Sequence, residues 1–330
     1  MKASCIVALL TILTAFSGCL GVDDVEQEAT IDPFTISKDT YQCFEFEERE
    51  RCWLTYIPEQ ITRTSKAPVI MELHGWSASS FEQRTLSDMM LLADEVDAIL
   101  IHPEGIADPN SGAFGNNEES WNSGYCCGDA KQLEINDVGF LSELINRTVQ
   151  DLPADKNRIY LTGWSNGCQM SQRMALEASH LIAAVACTSG YLGVTDTSNY
   201  NPIPVLEMHG FLDEIALYTN SVRLAFFEDD ARNTEAMQNG AIENLYDWAN
   251  HNGCSGSITD ENQPNLFYTV QSFNSCENNS TVALVSVYAG GHNLYANDAG
   301  EIGGYPLPGN QGLYDTNKII WNFVSQYSKN

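Results

Sequence analysis

Apolar residues recur along this chain in two rhythms, and the switches between them mark out a succession of strands and helices. Short β-prone runs stand at Trp53 to Ile57, Ala67 to Leu73, Ala98 to Ile101, Arg158 to Thr162, Ala183 to Thr188, Val205 to Met208 and Val282 to Tyr288. Helical spacing intervenes around Phe81 to Glu95 and over Asp137 to Val149, Gln169 to Ser179, Ala241 to Asn250 and Thr316 to Gln326. Strands and helices in that order predict an α/β fold, a mostly parallel sheet with helices on both faces. Ahead of it, Phe44 to Arg51 alternates aromatic and charged positions as a hairpin does.

In such sheets chemistry collects beyond the carboxyl ends of the strands. Four conspicuous motifs fall there: His74-Gly75-Trp76, Gly163-Trp164-Ser165-Asn166-Gly167, His209-Gly210-Phe211-Leu212-Asp213 and Gly290-Gly291-His292. The second has the form of a nucleophile elbow, a tight strand-to-helix turn that lifts a serine hydroxyl above the sheet; its glycines let neighbouring backbone pass without a Cβ clash. Ser165 is therefore the candidate nucleophile.

A serine hydroxyl needs a general base within hydrogen-bond reach, itself oriented by a carboxylate. On an α/β-hydrolase fold the chain order is Ser, then acid, then His. That order removes His74 and His102, while His180 lies at the far end of the elbow helix, His209 precedes the best acid and His251 sits at a helix C-terminus. His292 remains as the base. Asp213, a few residues past a strand, is the candidate acid, ahead of Asp196, Asp229 and Asp230, which follow no strand.

A tetrahedral intermediate also needs preorganised donors for its oxyanion. The backbone N–H of Asn166, at the start of the elbow helix, is one candidate, and that of Trp76, after the close-approach residue Gly75, is the other. His74, Trp121, Trp164 and Phe211 are candidates to line a substrate pocket, since aromatic faces stack on acyl and sugar groups.

Composition adds a setting. Net charge is −28, which disfavours nucleic acid and anionic membrane as partners. Residues 1 to 18 read as a signal peptide with a short apolar core from Cys5 to Phe16, and Phe16-Ser-Gly-Cys19 resembles a lipobox whose cysteine would carry a lipid anchor. Residues 19 to 35 then form an acidic tether, and 36 to 330 one hydrolase domain. Secretion or surface attachment through Cys19 is the expected location. The eight cysteines beyond Cys19 imply disulfides in an oxidising compartment. Cys43 with Cys52 and Cys254 with Cys276 are local pairs; Cys126, Cys127, Cys168 and Cys187 stay open on spacing alone. No His accompanies them at zinc-ligand spacing, and the proposed chemistry calls for neither metal nor cofactor. Three sequons begin at Asn146, Asn278 and Asn279.

Together with Trp121-Asn-Ser-Gly-Tyr-Cys126-Cys127-Gly128, Asn136-Asp137-Val-Gly-Phe140 and Trp248-Ala-Asn-His-Asn-Gly-Cys254, the four motifs resemble those of the polyhydroxybutyrate depolymerase-like and feruloyl esterase group, carbohydrate esterase family 1, over roughly residues 40 to 327. Trp164 and Cys168 depart from that family's usual small residues, Cys168 being a candidate partner for Cys187. Leu217 to Gly240 is longer than the family's pattern and suggests a lid or substrate wall. The resemblance implies a serine carboxylic-ester hydrolase acting on feruloyl or acetyl esters of plant or algal polysaccharides. Cleavage of hydroxybutyrate oligomers is the alternative reading, and a non-catalytic binding lipoprotein on the same fold the second.

Overall fold

The computed structural model describes residues 38–107, 119–194, 198–219, 240–258, 260–295, 300–302, 305–307 and 313–329. The expected signal peptide, Cys19 and tether lie outside these residues, as do Asp196, Asp229, Asp230 and most of the Leu217 to Gly240 stretch.

Six strands form the parallel centre of a ten-stranded sheet: β3 (Ala67–Leu73), β4 (Ile99–Pro103), β5 (Ala154–Gly163), β6 (Ala184–Thr188), β7 (Val205–Gly210) and β10 (Val282–Val287). One edge is the antiparallel pair β1 (Asp39–Phe46) and β2 (Arg49–Tyr56); the other is β9 (Tyr268–Phe273) with β8 (Asp260–Asn262). The spatial order is β1-β2-β4-β3-β5-β6-β7-β10-β9-β8. A separate hairpin joins β11 (Gly300–Ile302) to β12 (Tyr305–Leu307). Every residue of β3, β4, β6, β7 and β10 is buried, as expected of parallel strands covered on both faces.

Alternation along β3 shows how the layers are filled. Val69, Met71 and Leu73 turn toward a core shared with α4 (Asp137–Asp151), α5 (Asn166–Glu177) and α6 (Ala241–His251), through Phe140, Leu144, Met170, Met174, Leu245 and Trp248. Ile70 points the other way, with Leu100, onto Met89 and Leu92 of α2 (Met89–Val96). On that side α7 (Thr316–Val324) lays Ile320, Phe323 and Val324 across Leu206, Met208 and Val285. A period of two along each strand thus feeds two cores.

The sequence pattern and the structure differ at several places, beginning with a short helix α3 (Gly128–Gln132) and the β11–β12 hairpin, neither of which the pattern predicts. The helical stretch around Phe81 to Glu95 is two helices, α1 (Ser80–Ser87) and α2, because Asp88 takes a left-handed conformation at φ 56°. Beneath that break, Ser87 and Gln83 hydrogen-bond the buried Glu72 of β3, which also meets His102 Nε2 at 2.9 Å. The elbow helix starts at Asn166, three residues before the expected Gln169. Finally, β8 and β9 extend the sheet where no strand was expected: Tyr268 to Gln271 are all half-buried, so apolar periodicity gives no signal.

Both local cysteine pairs are present, Cys43–Cys52 across the register of β1 and β2, and Cys254–Cys276. The four left open form Cys168–Cys187, joining α5 to β6, and a vicinal Cys126–Cys127 pair across a cis peptide bond.

Candidate active site

Ser165 stands between the end of β5 and the first residue of α5, at φ 54° and ψ −120°, a conformation that a non-glycine residue holds only when its surroundings enforce it. The enforcement is visible on both sides. Trp164 N donates to Leu73 O of β3 at 3.3 Å, and Ser165 N to Thr188 O of β6 at 2.9 Å, so the elbow is strung between the two neighbouring strands. Gly167 passes directly against the carbonyl oxygens of Leu73 and His74, leaving no space for a Cβ.

Asp213 and His292 come from adjacent loops. Phe211 N donates to Val287 O and Leu212 N to Gly290 O, at 2.9 and 2.8 Å, so the loop after β7 is laced to the loop after β10. His292 is pinned from behind by Tyr295, whose hydroxyl donates to Gly291 O, and by Ser189, whose hydroxyl donates to Asn293 O. This scaffold brings His292 Nε2 to 2.8 Å from Ser165 Oγ and His292 Nδ1 to 3.0 and 3.1 Å from the two Asp213 oxygens. Asp213 Oδ1 also accepts the backbone N–H groups of Ile215 and Ala216. Burial works to raise the Asp213 pKa, but the nearby His292 and hydrogen bonds from His209 and His292 win, holding it well below the usual carboxylate range.

The other side of the site is a locked loop. Asn166 accepts from Trp121 N at 2.7 Å through Oδ1 and donates to Trp121 O at 3.0 Å through Nδ2, and Trp121 Nε1 donates to His74 O. His74 Nδ1 donates to Gly75 O, while its Nε2 accepts the N–H of Gly105. Burial lowers its pKa to about 4, so a neutral ring makes both bonds. Asn166 N–H lies in the first turn of α5, where backbone donors have no intrahelical acceptor. Trp76 lies in the turn after β3, its side chain 44% exposed.

The expected pocket lining needs correction. His74 and Trp121 are fully buried and Trp164 is 6% exposed, so the first two offer no face to a substrate. They support the loop and elbow instead. Trp164 packs on Gly75 and Leu294 with its ring 5.3 Å from that of His292. Phe211 is 42% exposed, beside Tyr218 and Tyr288.

Two residues near the site were given no role by the motif reading, although one of them, His209, opens a motif. Glu207 and His209 alternate with Leu206 and Met208 in β7 and are buried behind Asp213. Their signal in the sequence is a pair of ionisable residues at strand spacing inside an otherwise apolar run.

The fold is that of the α/β-hydrolases, with a serine, a histidine and an aspartate brought together at the carboxyl ends of its strands. The profile of the phospholipase/carboxylesterase family matches residues 60–239, and the chain belongs to that family. Among curated proteins it is 25% identical over 276 residues to feruloyl esterase B of Piromyces equi, a match covering 82% of this chain and 44% of that protein. It is 23% identical over 163 residues to a bifunctional acetylxylan esterase/xylanase of Neocallimastix patriciarum, covering 49% and 21%. The chain therefore spans less than half the length of these relatives. Among solved structures, acetyl xylan esterase from Aspergillus awamori superimposes with a TM-score of 0.56 at 16% identity, covering 77% of this chain and 94% of that one, a likeness of fold.

Proposed function

We propose that this protein is an exported esterase that removes feruloyl or acetyl groups from plant or algal polysaccharides, with Ser165, His292 and Asp213 as its catalytic residues. The observation that carries the reading is the position of His292, with one ring nitrogen on Ser165 Oγ and the other on Asp213. His292 Nε2 takes the serine proton as Oγ bonds to the ester carbonyl carbon, and returns it to the sugar oxygen as that alcohol leaves. Water repeats the sequence on the acyl-enzyme, freeing the acid and Ser165. Asp213 fixes the imidazole tautomer and stabilises the imidazolium without taking its proton. The N–H groups of Asn166 and Trp76 receive the oxyanion.

The substrate class draws on relatives named as feruloyl and acetylxylan esterases, and on exposed Phe211 and Trp76 as stacking surfaces for an aromatic acyl or sugar group. Four cysteine pairs suit an oxidising compartment. Residues 1 to 18 serve as the export leader, Cys19 to 35 as a tether with Cys19 available for lipidation, and 36 to 330 as the esterase domain.

Initial rates on methyl ferulate, acetylated xylan and hydroxybutyrate oligomers, with wild type beside Ser165→Ala, test the proposal. Serine-dependent turnover of the ferulate or acetyl ester is expected. Turnover of hydroxybutyrate oligomers alone would replace the polysaccharide reading with a polyester one, and no turnover by folded protein would overturn both.

A further inference from the structure

Behind the candidate triad lies a second histidine that nothing in the serine mechanism requires. His209, the last residue but one of β7, is fully buried, and each of its ring nitrogens faces acceptors. Nδ1 is 2.5 Å from Glu207 Oε1; Nε2 is 2.6 Å from Ala216 O and 3.2 Å from Asp213 Oδ2. A neutral imidazole carries one N–H and would leave one nitrogen's lone pair against an oxygen, so with Glu207 ionised the doubly protonated ring is the form that satisfies both sides. Glu207 is held in turn: its second oxygen accepts from Asn244 Nδ2 of α6 at 2.5 Å.

We infer that His209 is a positioning residue, a buried imidazolium clamped by Glu207 that holds the Asp213 carboxylate in place for His292. The inference deepens the triad reading above and rests on it. The line Glu207, His209, Asp213, His292, Ser165 alternates anion and cation once His292 has taken the serine proton. Asp213 is gripped from two sides: His292 Nδ1 donates to it from the site, and His209 Nε2, whose hydrogen bond goes to Ala216 O, lies 3.2 Å from Oδ2 on the core side. Its backbone donors, Ile215 and Ala216, reach only Oδ1, so Oδ2 is held by side chains alone: His292 Nδ1 at 3.0 Å and, from the core, the ion-pair contact of His209 Nε2 at 3.2 Å.

The remaining groups around the ring are compatible with a cation. Tyr218 of the loop after β7 sits edge-on at 6.2 Å between ring centroids, its hydroxyl paired with Ser286 of β10. Tyr191, after β6, and Tyr295, after β10, feel the charge of Asp213, and Glu243 of α6 adds a further negative charge near Tyr191. Glu214 lies on the solvent side, against His292 N. Among these described neighbours of His209 none is cationic except His292 when it carries the catalytic proton. Burial by itself would strip the proton from His209, but the charge of Glu207 and the acceptor oxygens of Asp213 and Glu207 outweigh it and raise the pKa to about 10.

The test combines a direct observation of the ring with kinetics. In full-length protein labelled with 15N-histidine, the imidazole signal that disappears in His209→Gln should report two protonated nitrogens from pH 5 to pH 9. A neutral tautomer for that ring at pH 7 would overturn the inference. His209→Gln should lower kcat by about 10- to 100-fold with KM little changed, since a slightly misplaced general base loses that much. Its acid limb of kcat/KM should move to higher pH, because the anion beside His292 is no longer balanced by a cation behind it. A merely structural histidine would leave that limb where it is. Should His209→Gln fail to fold, Glu207→Gln/His209→Gln exchanges the ion pair for neutral amides of similar volume; wild-type kcat and an unshifted limb in that variant would refute the role. Failure of the triad reading itself is distinguishable, because Ser165→Ala would then retain turnover whatever the imidazole signal shows.

Discussion

His292 Nε2 lies 2.8 Å from Ser165 Oγ although 127 residues separate them in the chain. The contact depends on two elements prepared independently, an elbow strung between β3 and β6 and a loop laced to the neighbouring acid loop. Their agreement in space is what gives the hydroxyl a base.

Replacing the acid tests the orienting role directly. Asp213→Asn keeps the shape but offers His292 Nδ1 an amide that can force the wrong tautomer. A fall in kcat of about 10³- to 10⁴-fold with little change in KM is expected, measured on whichever ester the wild type turns over. A loss below tenfold would remove Asp213 from the proposed triad.

The elbow has no spare volume. Gly167→Ala would drive a Cβ into the carbonyls of Leu73 and His74, and overpacking against backbone costs about 2–3 kcal/mol or more. Thermal unfolding should register that loss together with a collapse of activity. A variant with unchanged transition temperature would mean that the elbow backbone relaxes freely.

Arg51 and Asp137 form a buried ion pair at 2.7 Å, and the second Asp137 oxygen accepts Asn122 N in the loop that carries Trp121. Arg51→Met leaves the carboxylate buried without its partner, which costs about 3–5 kcal/mol. The double variant Arg51→Met/Asp137→Asn should recover much of it. Denaturant unfolding of the four proteins in the cycle checks this, and additive losses would show that the two residues do not act as a pair.

Glu104 gives a pH dependence whose sign can be worked out. Burial pushes its pKa up to about 7 despite hydrogen bonds from Ser80, against an ordinary value near 4.5. Between those values the folded carboxyl keeps a proton that the unfolded one has lost, so the group's contribution falls as pH rises, by about 3 kcal/mol across the window. Neighbouring His74, lowered to about 4, works in the opposite direction below pH 6.5. Glu104→Gln isolates the first effect: its transition temperature relative to wild type should climb from pH 5 to pH 8. A difference independent of pH would contradict the assignment.

What could be read from the sequence had a local rule behind it. The parallel centre of the sheet follows from apolar runs separated by helical spacing, and Ser165, Asp213 and His292 from their places after strands in a known order. Side-chain direction had no such rule. His74 and Trp121 sit close to the elbow in space but turn into the protein, where hydrogen bonds to Gly75, Gly105, Asn166 and His74 O occupy their polar atoms. The same gap hid His209, discarded as a base because it precedes Asp213, although its position two residues from Glu207 on one strand face was visible. The split at Asp88 was hidden too, since a left-handed aspartate inside an apolar period leaves the period intact.

Covalent labelling of Ser165 tests the central claim most directly. Folded protein treated with a fluorophosphonate, which loses fluoride as a serine Oγ–phosphorus bond forms, should gain one adduct, mapped by peptide mass spectrometry to Ser165 and greatly slowed in His292→Ala. Folded protein that stays unlabelled, or that carries its adduct on another residue, would contradict the account.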